Sequence, residues 1–422
     1  MKKSVLTAAL AAAAGLCMVF AVNAGAEELT EGDFVIKTYD GHAAVSYTGS
    51  DSEVRIPSEI AGYTIDVIDE KAFYWNASVE KVELPDSITE IGLSAFDGAE
   101  NLKEIDLPDG VTVIGESAFA NCRSLERISV PEGIKVIGGH AFLYCSSLGT
   151  IDLPEGLEEI GYRAFEHCEG LERVTVPESL RYLGGEAFRK VPWYEEMAAK
   201  DSTVVLDGFL TQVSTGITGE YTVPEGVRGI AGEVFKNSAW MTSCILPEGV
   251  VSIGDGAFYG CTAMSSITLP KSLRYIGDNA FTDCYAMTGI TLPEGVEEIG
   301  DFAFSGAVRI REFSIPSTVT KLGYKALGFD REGDPYGAAV DFTSGTAAED
   351  YFRESGLENV KDMEYIDPGP LGTEDISREI SKPSVTGSPE KKKNSSAPIV
   401  VFIALISAGA GAYIALNRRK KK

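Results

Sequence analysis

Seven cysteines, three histidines and a recurring glutamate pair are the residues of this 422-residue chain best equipped for chemistry. Cysteines can bridge, bind metal or act as nucleophiles, but no Cys-x-x-Cys pair is present to suggest zinc. Their spacing points elsewhere: Cys122, Cys145 and Cys168 stand 23 residues apart, as do Cys261 and Cys284, and Ala99 and Ala307 fill the same phase. A small apolar thiol suits a repeating interior position, so buried, reduced cysteines are expected, with a bridge between neighbouring copies as the alternative. Cys244 falls at an inward strand position, and Cys17 lies in the N-terminal apolar stretch. His42, His140 and His167 occupy unrelated phases, and neither HExxH nor G-x-S-x-G occurs. Glu158-Glu159 and Glu297-Glu298 have the look of a glycoside-hydrolase carboxylate pair, yet they recur beside one turn, as a solvated surface would. No enzyme, cofactor or metal site is expected.

The elements that position these residues are set by a repeat. Pro85, Pro108, Pro131, Pro154 and Pro177 keep a 23-residue step, and Pro224, Pro247, Pro270, Pro293 and Pro316 resume it. Phe96, Phe119, Phe142, Phe165 and Phe188 do the same, followed by Phe235, Phe258, Phe281 and Phe304. A period in this range means a stacked solenoid. Within Leu102–Leu107 the alternation sends Ile105 and Leu107 inward and Glu104 and Asp106 outward, a short strand that Pro108 ends. Gly110 permits the turn, Val111 and Ile114 return to the core, Gly115 allows close packing, and Ala118-Phe119 closes the far side. A single coil leaves half its apolar face open; ten stacked coils bury one another.

The series Leu-Pro-Glu-Gly-Val, Ile-Gly and Ala-Phe-x-x-Cys resembles the BspA-type leucine-rich repeats of bacterial surface proteins over about residues 33–360. The resemblance implies a repeat solenoid, mostly β with capping elements. Residues 27–53 would form an N-terminal hairpin cap, 54–190 and 219–328 two repeat blocks, and 329–366 a C-terminal cap. Between the blocks, 191–218 break the period and are expected to form a short helix, then a hairpin about Asp207-Gly208.

The ends indicate display outside a cell. Lys2 and Lys3, the apolar run Val5–Val22 and Ala24-Gly25-Ala26 have the layout of a secretory signal peptide, residues 1–26. Residues 367–398, rich in Pro, Ser, Gly and Lys, are expected to be a disordered stalk. Residues 399–416 carry no charge and are long enough for one transmembrane helix; 417–422, with five cations, would remain cytoplasmic. Residues 27–398 carry 30 basic and 63 acidic residues, a net −33, which makes nucleic acid and anionic lipid poor partners.

Function is therefore expected to lie on an ordered surface. One candidate is the outward strand row with Glu83, Asp106 and Asp152. The other is aromatic: Tyr182 and Tyr275 share one phase on either side of the interruption, with Trp193 and Tyr194 expected to project between them as anchors. The expectation is a single-pass cell-surface protein binding an extracellular protein or glycan in adhesion or recognition. The alternative is an envelope scaffold that organises other surface proteins.

Overall fold

The computed structural model describes residues 28–39 and 42–355, together with the strands Phe402–Ala404 and Tyr413–Ala415. Each regular coil is a closed circuit of short pieces. In the coil starting at Leu102, the strand Glu104–Asp106 carries Ile105 inward and leaves Asp106 exposed, and Val113–Ile114 forms a second strand. Two residues then adopt left-handed backbone, Ser117 and Asn121, so that the chain turns twice around Phe119. The amide of each such residue donates to a carbonyl of the next coil, Ser117 to Gly139 (2.8 Å) and Asn121 to Leu143 (2.7 Å). The turn geometry is thus written by the stacking and recurs in every coil.

Stacking makes the sheets parallel and places identical phases side by side. The longest sheet starts with the antiparallel strands Glu28–Glu31, Phe34–Tyr39 and His42–Tyr47, continues through Tyr63–Ile68, and ends at Tyr182–Leu183. Its interior partners, Ile91, Ile114, Ile137, Ile160 and Leu183, are in register and buried. A second sheet runs from Val204–Leu206 and Phe209–Gln212 to Lys321–Leu322. The solenoid has about 13 turns, more than the ten proline-marked coils, because the cap and the interruption contribute turns without the proline motif. At the far end, the helix Ala347–Glu354 buries Ala348 and Tyr351.

Phe73, Phe96, Phe119, Phe142, Phe165 and Phe188 stack through the first block with centroids 4.9 to 5.5 Å apart, and Phe235 to Phe304 do so in the second at 4.8 to 5.2 Å. Beside them, the thiols of Cys122, Cys145, Cys168, Cys261 and Cys284 donate to the carbonyls of Phe96, Phe119, Phe142, Phe235 and Phe258 at 3.1 to 3.3 Å. All six described cysteines are buried and unbridged. Burial pushes their thiols up, to about 12 for Cys244 and Cys261. Glycine at the Ile-Gly phase lets backbones touch: a Cβ on Gly138 would lie 2.6 Å from backbone atoms of Gly115 and Glu116.

The interruption contains the helix Pro192–Lys200 and the hairpin Val204–Leu206/Phe209–Gln212, turning at left-handed Asp207 and Gly208. Phe209-Leu210 pairs with Gly229–Ile230, and the Gly232 amide donates to Leu183 (2.9 Å), which joins the blocks. The helix is also where one expectation fails. Trp193 and Tyr194 do not project: both pack on Phe188, with centroids at 5.3 and 6.5 Å, and the Tyr194 hydroxyl meets Thr211 at 3.1 Å. They cover the open end of the first phenylalanine stack, a task any broken ladder imposes.

The expected signal peptide, stalk and basic tail lie outside the described residues. Of the expected span 399–416, only Phe402–Ala404 and Tyr413–Ala415 are described, and these pair as antiparallel strands; the rest of the span lies outside the described residues. No helix among the described residues is long and apolar enough to cross a membrane.

Candidate recognition surfaces

Of the expected acidic row, Glu83 and Asp106 stand on paired strands, whereas Asp152 lies outside any strand. Arg55, Glu83, Asp106 and Ser129 follow one another in register on consecutive strands, and Glu83, Asp106 and Asp152 are exposed. The charge is not unanswered: Arg55 and Lys81 approach Glu83 (3.9 and 3.6 Å), and Arg127 meets Glu104 at 2.7 Å. Such exposed pairs are worth little energetically, so the row is a solvated, mixed-charge face.

Tyr182 and Tyr275 are brought together. Their centroids lie 6.0 Å apart, although they belong to different blocks. In the second-block ladder Tyr275 is followed by the small residues Ser252 and Gly229, which leave room for the Tyr182 ring of the first block. Ser252 is 1 % exposed and its hydroxyl has no hydrogen-bond partner. Both rings are half-buried, the Arg181 guanidinium sits over Tyr275 (5.0 Å), and the Tyr275 hydroxyl meets Glu297 at 3.3 Å. The pair is thus a clasp between blocks more than a free anchor. Arg228 reinforces it, donating to the carbonyls of Pro177, Glu178, Leu180 and Asp207 at 2.8 to 3.1 Å.

Carboxylates crowd this junction. Asp255, Asp278 and Asp301 form a ladder in which each accepts the next coil's amide: Asp278 to Asp255 at 2.8 Å, Asp301 to Asp278 at 2.7 Å. Burial and the neighbouring charges hold Asp255 well above the usual carboxylate range and push Asp278 up to about 6. Burial, with Glu298, Asp255, Glu159 and Asp278 nearby, also raises the Tyr182 hydroxyl. Among the described residues no group of three or more His, Cys, Asp or Glu is arranged to hold a metal ion. The histidines do not converge: His42 meets Asp66, His140 lies near Glu116 (4.0 Å) and edge-on to Tyr162, and His167 stacks on Tyr144.

Residues 66–192 and 215–330 match the family described as BspA type leucine-rich repeat region, in six copies. The chain belongs to this family. Similar BspA-type or other leucine-rich-repeat structures include a leucine-rich repeat protein from Bacteroides ovatus, 26 % identical, covering 71 % of this chain and 91 % of that one, TM-score 0.32. A leucine rich cell surface protein from Faecalibacterium prausnitzii is 21 % identical over 76 % of this chain and 96 % of its own, TM-score 0.31. The T. pallidum leucine-rich repeat protein is 26 % identical over 62 % and 91 %, TM-score 0.30. No curated protein matches.

On this BspA-type scaffold the most exposed large rings are not those singled out from the sequence. Trp75 is 56 % exposed, Tyr74 47 %, Trp240 61 % and Tyr324 60 %. Tyr144 is also exposed, at 39 %. The signal for Trp75 was present but faint: it stands 23 residues before Gly98 and 46 before Asn121, in a slot that otherwise favours residues tolerant of left-handed backbone.

Proposed function

We propose that the chain is a non-catalytic recognition protein displayed on the bacterial surface, engaging an extracellular macromolecule through side-chain rows that its coils hold at a fixed pitch. Membership of the BspA-type family and the secretory layout of the N-terminus support display. The observation that carries recognition is how the coils use their side chains. Cysteines, phenylalanines and branched residues go inward, while Tyr74, Trp75 and Tyr144 stay out on a rigid frame. Aromatic rings so fixed lose little entropy on binding and make large contacts.

Proximity labelling on intact cells, from an enzyme fused just after residue 355, tests this reading. Labelled components of foreign cells or matrix are the expected result. Labels confined to proteins of the cell's own envelope would replace adhesion by the scaffold role, and turnover of a polysaccharide by the purified chain would overturn the non-catalytic reading.

A further inference from the structure

The two sheets of the first block do not begin at the same level. One continues past the first coil, where Phe34–Tyr39 and Glu28–Glu31 add two antiparallel strands beyond His42–Tyr47. The other, which carries the acidic row, begins at Glu53–Arg55 in that same coil and pairs only with Lys81–Glu83 of the next. The cap therefore overhangs by two strands, about 10 Å at the inter-strand spacing, and leaves a step at Glu53–Arg55.

The backbone at this step has an open side. The Ser52 carbonyl accepts from the amides of Glu80 (2.7 Å) and Lys81 (3.0 Å), and the Ile56 amide donates to Glu83 (3.0 Å), so residues 52, 54 and 56 face the next coil. The N–H and C=O groups of Glu53 and Arg55 point the other way, where among the described residues no strand pairs with them. Elsewhere such edges are closed. At the junction the Val176 amide donates to the Asp207 carboxylate (2.9 Å), and at the far end Glu312–Ile315 is followed in register by Ala339–Phe342 and then by the helix Ala347–Glu354. A cleft of about 400 Å³ lies along the open edge, between it and the turn at residues 31–34. Its lining is acidic: Glu31, Asp33, Asp51 and Glu53 stand against one guanidinium, that of Arg55. Glu31 accepts from the Ala61 amide (3.0 Å) and Asp51 from the Tyr47 hydroxyl (3.1 Å), and among the described residues no three carboxylates converge on a metal position.

We propose that the open Glu53–Arg55 edge takes an extended, cationic segment of a partner protein as an added strand. Glu53 and Arg55 each offer it one main-chain donor and one acceptor, which supply affinity without regard to sequence. Lysine or arginine side chains of the segment meet Glu31, Asp33 and Glu53, and its alternate side chains turn toward Phe34 at the back of the cleft. Charge selects the partner: four carboxylates against one guanidinium attract a basic segment, and they set the overhanging ends of two copies of this chain against each other. The exposed rings Tyr74, Trp75 and Tyr144 do not line this cleft, so failure here leaves the recognition reading above standing.

The test is fluorescence polarisation of the purified full chain with a labelled eight-residue peptide of alternating Lys and Val, with its analogue methylated on every backbone nitrogen, and with an alternating Glu and Val peptide as the acidic control. The Lys peptide is expected to bind and to slow hydrogen exchange at residues 51–56. The methylated analogue keeps the charge but has no backbone donor, and should bind at least tenfold more weakly. Arg55→Pro removes a donor from the open edge and none from the side facing Lys81–Glu83, so it should lose at least tenfold in binding with little change in melting temperature. Glu31→Gln with Asp33→Asn and Glu53→Gln should lose at least fivefold and flatten the salt dependence. Equal binding of the methylated peptide, or exchange slowed only elsewhere, means attraction by charge alone and overturns the added strand, even should Arg55→Pro fail to fold. Equal binding of the Glu peptide overturns the cationic partner. Self-association of wild type in sedimentation, abolished by Arg55→Pro, puts a second copy on the edge instead, and binding of neither peptide overturns the proposal.

Discussion

Phe142→Ala probes whether the aromatic stack is the structural axis of the first block. Phe142 is 0 % exposed, between Phe119 at 5.5 Å and Phe165 at 5.3 Å, with both planes within 6° of parallel. Truncation loses roughly 2 kcal/mol of transfer free energy, since a buried ring is worth about 1.5–3. A void of roughly 80 Å³ adds about 2 kcal/mol at ~24 cal/mol per Å³, for a total of about 3–5 kcal/mol. Because coils contact only their neighbours, the damage should be local. Urea unfolding of the purified chain, followed by hydrogen exchange at residues 119–165 and 258–304, reads both quantities. Exchange should quicken in the first range far more than in the second, since the blocks have separate cores. A loss under about 1 kcal/mol, or equal quickening in both blocks, would show that the stack is not the axis of the first block.

Other outcomes follow from the same geometry. Thiol reagents should leave the six described cysteines untouched in the native protein and modify them after denaturation; rapid native labelling of Cys122, Cys145 and Cys168 would contradict the interior ladder. Asp278→Asn keeps an oxygen for the Asp301 amide but removes a charge whose folded-state pKa, about 6, exceeds the ordinary 3.8. Ionising that group destabilises the fold, a penalty complete above about pH 7 and absent below about pH 4, so the variant should gain about 1–2 kcal/mol at pH 7.5 and little at pH 4 in thermal melts. An equal gain at both would rule the cause out. Tyr182→Ser with Tyr275→Ser should loosen the junction and speed proteolysis within 191–218, and unchanged cleavage would show that the clasp is not structural.

The coil phases were legible from the sequence because ten copies repeat the same instruction. Proline, glycine, phenylalanine and cysteine each keep one place, and the thiol-to-Phe carbonyl bonds show why cysteine suits its own. Two-residue strands such as Val113–Ile114 were not legible, since two residues carry no alternation. The shared phase of Tyr182 and Tyr275 was visible; their contact was not, because it depends on how Arg228 and the interruption hairpin seat one block on the other. Trp193 and Tyr194 were misplaced for a related reason: sequence shows a broken ladder but not the open Phe188 they must cover. Trp75 was overlooked because residue types do not show the left-handed backbone that turns its 23-residue phase, shared with Gly98, Asn121 and Tyr144, toward solvent.

Recognition through outward aromatic rings held by coil phase is measured by adhesion of display cells carrying the full chain to surfaces coated with polysaccharide or matrix protein. Four forms are compared at equal display: wild type, Trp75→Asn with Tyr144→Asn, Tyr182→Ser with Tyr275→Ser, and Glu83→Gln with Asp106→Asn and Asp152→Asn. Wild type should adhere, the first variant should lose at least tenfold, and the last should change little at physiological salt, where exposed charges are screened within about 8–10 Å. Full adhesion by the Trp75/Tyr144 variant, with loss on neutralising the acidic row, would contradict it.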